Sequence, residues 1–196
     1  MKRQMKEYVD TIIVGGGQAG LAVSYYLTQQ GTSHVVLEQS SHPANAWRNQ
    51  RWDSFTFVTP NWMTRLPGAE YRGTDLDGFM SRSEIVTFFE QYVERFKLPV
   101  RYGVQVTAIE QESSSEGYFI TTSKGVFQSA NVVLATGLFQ KPQIPAFSTE
   151  FPTEITQLHS SSGRRFRARD VSRRKPTAGD GYAGVAILTA IRVVAE

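Results

Sequence analysis

Gly15-Gly16-Gly17-Gln18-Ala19-Gly20 follows directly on the β-forming run Val9 to Val14. Leu21 to Gln30 then reads as a helix that Gly31 stops, and His34 to Leu37 as a second buried-type strand ending at Glu38. Each residue of this strand–turn–helix–strand unit has a chemical use. Gly15 permits the tight turn, Gly17 lets a pyrophosphate approach the backbone, and Gly20 lets the helix pack closely on the strand. The helix start, with Gln18 and Ala19, offers free N–H groups and a partial positive charge to phosphates. Glu38, with Gln39 beside it, stands where a carboxylate accepts hydrogen bonds from ribose hydroxyls. A carboxylate there repels a 2′-phosphate, so the site suits FAD or NAD better than NADP. The alternative is a glycine-rich turn without a ligand, and the strand, helix and acid in register count against it.

The elements that must position this unit follow in order. Residues 39–80 read as a long irregular segment dense in Trp and Phe, broken by Pro60 and Pro67. Such a loop either wraps a flat apolar ligand or covers a satellite hydrophobic cluster. Ser83 is the expected cap of a helix from Glu84 to about Phe96, with Ile85, Phe88, Phe89, Tyr92, Val93 and Phe96 on a core-facing stripe, and Pro99 ends that segment. Val104 to Glu110, Tyr118 to Thr122 and Val126 to Gln128 predict a β-meander. Asn131 to Gly137 is a continuous apolar run, expected to rejoin the first sheet as a parallel strand buried on both faces. Ala135, Thr136 and Gly137 are small enough for close approach to a cofactor. The predicted class is α/β, a Rossmann-like dinucleotide-binding domain with a parallel sheet, helices and a β-meander.

The chain has 196 residues, no cysteine and 40% hydrophobic residues. Lack of cysteine excludes disulfides, thiolate metal sites and a redox-active cysteine pair within it. His34, His42 and His159 are too scattered for a metal site. Residues 1–159 hold 13 Lys/Arg against 15 Asp/Glu, and residues 160–196 hold 8 against 3. The net charge of +3 therefore comes from the tail, and the body lacks the basic balance of a nucleic-acid binder. No apolar run is long enough for a signal peptide or a membrane span, and a cytoplasmic protein is expected.

The tail contains a second glycine motif, Gly179-Asp180-Gly181-Tyr182-Ala183-Gly184, with Val185 to Val194 as its candidate helix. Arg174 to Ala178 before it is not a strand, and the sequence reaches Glu196 before a second strand or ribose-binding acid appears, so the motif lacks its structural context.

Taken together, these residues resemble the N-terminal, FAD-binding part of flavin-containing monooxygenases. Four features carry the resemblance: Gly15 to Gly20 with Glu38; Trp47 to Pro60; Ala135-Thr136-Gly137 with Pro142 and Pro145; and Gln157-Leu158-His159-Ser160-Ser161. The resemblance implies an enzyme in which NADPH reduces FAD and the reduced flavin activates O₂ for insertion into a small-molecule substrate. It places Gly15, Gly17 and Gly20 on the pyrophosphate, Glu38 on the adenosine ribose, and Trp47 and Arg48 along the flavin. It puts the Val106 backbone against the adenine, and Thr136 and Gly137 at the passage between two nucleotide domains. The expected organisation is a partial FAD-binding domain over 1–159, a basic irregular linker over 160–178, and over 179–196 the start of an NADP-binding domain, with Gly179, Gly181 and Gly184 its loop. On this expectation the chain is an N-terminal portion that does not oxidise NADPH alone, with apolar surface exposed around Val133, Leu138 and Phe139. Two alternatives stay open: an FAD-dependent reductase without oxygenation, and a non-catalytic FAD-binding remnant.

Overall fold

The computed structural model describes residues 7–52, 54–111, 117–137, 144–152, 156–159 and 185–188. Three layers stack in it. The central layer is a parallel sheet of β2 (Thr11–Val14), β3 (His34–Glu38), β6 (Val100–Tyr102) and β10 (Asn131–Leu134), in the order β10-β2-β3-β6. Helices α1 (Gln18–Gln29) and α3 (Arg82–Arg95) contribute to the layer on one face. On the other face lies a second sheet: β7 (Val106–Gln111), β8 (Tyr118–Thr122) and β9 (Gly125–Ser129) form an antiparallel meander, and β1 (Glu7–Tyr8) pairs with β9 in parallel.

The alternation of strand side chains explains the two cores. Ile12, Val14, Val35 and Leu37 pack against Val104, Ile120 and Phe127. Ile13 and its register partner Val36, both fully buried, share the opposite face, where Ile13 lies against the start of α1 at Gly20. The helical core joins Leu21 of α1 to Ile85, Val86, Phe89 and Tyr92 of α3, with Phe55, Leu66 and Met80. Burial of each such large side chain contributes about 1.5–3 kcal/mol before entropy is counted.

Helix α1 ends as the sequence predicts. Gly31 takes φ +67, and the Thr32 N–H reaches back to the Leu27 carbonyl at 2.9 Å. His34 ties the start of β3 to this helix: its ring nitrogens lie 2.9 Å from Ser24 Oγ and 2.8 Å from the Thr32 carbonyl. The carbonyl can only accept, so Nδ1 donates to it and, in the neutral ring, Nε2 accepts from Ser24.

Several expectations change. The cap of α3 is Ser81, not Ser83. Ser81 is extended, its hydroxyl accepts from the Glu84 N–H, and Glu84 Oε2 accepts from the Ser81 N–H at 2.7 Å. This reciprocal pair satisfies two donors at once. β6, after Pro99, has no sequence signal; three residues carry little periodicity, and pairing with β3 makes them a strand. β10 stops at Leu134 and, among the described residues, pairs only with β2. It is an edge strand, with Val132 and Val133 half-buried and Leu134 70% exposed, so burial on both faces does not hold for the described residues. Val133 is thus partly exposed, while Leu138 and Phe139 lie outside the described residues.

The segment after β3 contains short elements rather than none. They are α2 (Asn45–Asn49), a 3-10 turn (Asn61–Met63) and the hairpin β4 (Arg65–Leu66) with β5 (Ala69–Glu70). Backbone bonds lace it to the start of α3: Phe57 N–H to the Met80 carbonyl at 2.8 Å and Arg82 N–H to the Phe55 carbonyl at 2.9 Å. In the tail, β11 (Thr156–His159) pairs in parallel with β12 (Val185–Leu188). Val185–Leu188 is therefore a strand and not the start of the helix expected over Val185 to Val194. The β-branched Val185 and Ile187 suit a strand, and the ladder with β11 provides the partner. Pro142, Gly179, Gly181 and Gly184 lie outside the described residues, as does the 160–178 linker.

Candidate functional site

The site forms where the parallel strands end. The Gly15 N–H donates to the Leu37 carbonyl at 2.9 Å, and the Ala135 N–H to the Val14 carbonyl at 2.8 Å. The glycine turn is thereby held between the ends of β3 and β10. Gly15 has φ +108, and a Cβ there would stand 2.4 Å from the Ala135 carbonyl oxygen. A Cβ on Gly20 would stand 2.0 Å from the Gly15 carbonyl oxygen. Both glycines are required by packing, as their places in the motif predict. Gly17 differs: a Cβ there meets nothing within 4 Å. Its backbone faces open space, together with exposed Gln18 and Ala19. Gly17 is also the N-cap of α1, with no side-chain cap and no acid in the first turn. A 12-residue helix thus presents its uncapped N-terminus to that space, the setting in which an anion is bound.

Glu38 is aimed at this turn. Its Oε2 accepts from the Gly16 N–H at 2.7 Å, and its Oε1 accepts from the Ser40 N–H at 2.8 Å. The Ser40 hydroxyl also lies 2.8 Å from Oε1. These bonds lock the carboxylate while leaving lone pairs for ligand hydroxyls. Gly16, the middle glycine of the run, has no role assigned from the sequence, and its N–H orients the acid.

Tyr102 is a second residue that sequence reasoning missed. It sits in register with Glu38, across the β3–β6 pair. Burial, together with the negative charges of Glu38 and Glu90, pushes its phenol up to about 12. Glu90 in turn forms an ion pair with Arg48, Nη2 to Oε1, at 2.5 Å. Glu38, Tyr102, Glu90 and Arg48 therefore belong to one neighbourhood, assembled from β3, β6, α3 and α2. The β6–β7 link follows the same edge: Gly103 N–H donates to the Ser40 carbonyl at 2.8 Å and Val104 N–H to the Glu38 carbonyl at 2.9 Å. Val106 lies two residues further on, half-buried at the start of β7. Exposed Gln39 follows Glu38 directly, and exposed Thr136 and Gly137 follow Ala135.

Trp47 packs on the helical core, with its ring 5.1 Å from Phe57 and 5.6 Å from Phe55. The aromatic segment is thus continuous with that core, not a separate satellite. Helix α2, which carries Trp47 and Arg48, begins after Ala44 in the left-handed region, at φ 56. A buried alanine held there stores strain beside the site.

The donor set and space fit a dinucleotide such as FAD: an uncapped helix start for the pyrophosphate, an oriented carboxylate for ribose hydroxyls, and small residues at Ala135 to Gly137. Among the described residues no helix is long and apolar enough to cross a membrane.

Comparison with known proteins agrees with this geometry. The profile of the pyridine nucleotide-disulphide oxidoreductase family matches residues 12–172. An uncharacterised CzcO-like oxidoreductase of Geobacillus kaustophilus is 36% identical over 157 residues, which cover 80% of this chain and 44% of the relative. A CzcO oxidoreductase of Bacillus subtilis is 36% identical over 153 residues, covering 78% of this chain and 43% of the relative. Among solved structures, a flavin-containing monooxygenase from Stenotrophomonas maltophilia superposes with TM-score 0.71 at 26% identity, covering 80% of this chain and 46% of that one. The chain spans less than half the length of these relatives.

Proposed function

As the chain belongs to the pyridine nucleotide-disulphide oxidoreductase family, we propose that it is the FAD-binding part of a flavin-dependent monooxygenase-type oxidoreductase that takes electrons from NADPH. The observation that carries this reading is Glu38, held by the Gly16 N–H beside an uncapped helix start and the open face of Gly17. FAD, when bound, supplies two-electron chemistry with a reduced nicotinamide and with dioxygen. The residues described here bind and orient it. The N-terminus of α1 takes the pyrophosphate, Glu38 the adenosine ribose, and the edge around Val106 the adenine. Trp47 and Arg48 line the flavin side, with Arg48 fixed by Glu90. Thr136 and Gly137 carry the chain past the cofactor.

Similarity to a flavin-containing monooxygenase favours oxygenation. The 196 residues hold no cysteine, so this stretch supplies no dithiol for disulfide chemistry. The substrate is a small molecule. Purified protein is expected to be yellow, or to take up added FAD with saturable change of its absorbance spectrum. A colourless protein that leaves the spectrum of added FAD unchanged refutes the assignment.

A further inference from the structure

Helix α3 and the stretch from Ala69 to Gly73 enclose a cavity of about 610 Å³. Its lining on α3 runs from Ser83 to Arg95, about 18 Å along the helix axis. The facing wall is extended chain that begins with β5. A space of this volume drawn out along three turns of helix is a trough, and it suits a linear molecule better than a disc. The floor is apolar: Met80 and Tyr92 are buried there, and Tyr71 and Phe88 are half-buried. The walls are fixed to one another. The Tyr92 hydroxyl donates to the Pro67 carbonyl at 2.8 Å and clamps the β4–β5 turn onto α3. The Tyr71 N–H donates to the Thr64 carbonyl at 3.3 Å.

The trough is separate from the cofactor cradle. Phe88 lies about 160° round α3 from Glu90, the partner of Arg48. Charges on the lining balance in number, Arg72 and Arg95 against Glu70 and Glu84, but not in availability. Glu84 is committed to the α3 cap, where its Oε2 accepts from the Ser81 N–H at 2.7 Å and from the Ser81 hydroxyl at 2.6 Å. Glu70 and Arg72 are alternate residues of one extended stretch, and their charges offset. Arg95 is then the cation in excess, about three turns along α3 from Glu84. Its guanidinium rests 4.9 Å from the Phe96 ring centroid.

We propose that this trough binds a linear amphiphile with a carboxylate head, a medium-chain carboxylate, with its chain along Met80 and Phe88 and its head at Arg95. The inference does not rest on FAD binding and can fail separately from it.

The test uses the full 196-residue chain without added cofactor. Octanoate, decanoate, 1-octanol and octylammonium are titrated by calorimetry, below the concentrations at which they form micelles. Decanoate should saturate the protein and bind roughly 4-fold more tightly than octanoate, because the trough half-buries two further methylenes. Octanoate should bind roughly 3-fold more tightly than octanol, within reach of one exposed ion pair, and more tightly than octylammonium. Arg95→Gln should erase the preference for octanoate and leave octanol binding unchanged. Thr87→Trp places a bulky side chain on the lining from an exposed helix position, and should lower decanoate affinity roughly 10-fold or more. Circular dichroism verifies folding; if Thr87→Trp unfolds, Gln91→Trp, exposed on the same lining, carries the comparison. FAD uptake should be unchanged in each variant. Undiminished decanoate binding in the tryptophan variant overturns the proposal, as does binding that does not saturate. Octanol or octylammonium binding as tightly as octanoate overturns it too, as does an undiminished preference in Arg95→Gln. Loss of FAD uptake together with decanoate binding in Thr87→Trp places the trough inside the cofactor cradle and also overturns it. Decanoate binding as described by a protein that takes up no FAD refutes the function proposed above and supports this site.

Discussion

Replacing Gly17 by valine separates binding from folding. Gly17 has φ −84 and ψ −171, a conformation open to any residue, and a Cβ there touches nothing within 4 Å. The fold should therefore accept the side chain. The unfolded chain loses freedom by the change, which favours the variant by about 0.4–1 kcal/mol, while valine is a poorer helix N-cap than glycine. These terms oppose each other, and the net change in stability should stay within about 1 kcal/mol. The same side chain occupies the space from which a pyrophosphate reaches the backbone of α1. Displacing the phosphate removes one or two charge-assisted bonds of about 1.5–3 kcal/mol each. FAD affinity should fall roughly 100-fold, equivalent to ~2.7 kcal/mol. Gly20→Val is the contrasting variant, because its Cβ would stand 2.0 Å from the Gly15 carbonyl oxygen. It should lose several degrees of Tm through overpacking. Thermal melts and FAD titrations on both variants decide the matter. Gly17→Val that binds FAD like the wild type, or that melts as early as Gly20→Val, refutes the reasoning.

Three further outcomes are expected. Glu38→Ala removes the acceptor of the Gly16 and Ser40 N–H groups; stability should drop by about 1–3 kcal/mol in denaturant titrations, and FAD affinity at least 10-fold. Ala44→Gly relieves a left-handed alanine at φ 56 and should raise stability by about 1 kcal/mol, read as a higher denaturation midpoint. Ser81→Ala should cost about 1 kcal/mol at neutral pH through loss of the α3 cap. The hydrogen bond from the Ser81 side chain, then that from its backbone, holds the Glu84 carboxyl below its ordinary pKa. A depressed carboxylate stabilises the fold above its unfolded pKa and loses that contribution as pH falls through the folded one. The difference between wild type and Ser81→Ala should therefore shrink below about pH 4, and a constant difference down to acid unfolding would discount Glu84.

The sequence by itself determined the glycine turn, the helix after it, the acid at the end of β3 and the meander. Each is written in local signals: glycine spacing, a β-run on either side, and polar turns between alternating residues. It also supplied Trp47 and Arg48 as candidates, through the density of aromatic residues and a family resemblance. Tertiary structure decided the rest. That β10 is an edge strand among the described residues, and that Val100–Tyr102 is a strand at all, depends on which segments pair. No local pattern in three or four residues can state its partner. The cap moved from Ser83 to Ser81 because capping is a matter of backbone angles and of Glu84 reaching back. Gly16 and Tyr102 became site residues only when the Glu38 side chain acquired a direction. Likewise Val185–Leu188 is a strand because Thr156–His159 lies beside it. Periodicity encodes which face of an element is apolar, and long-range pairing decides what that face meets.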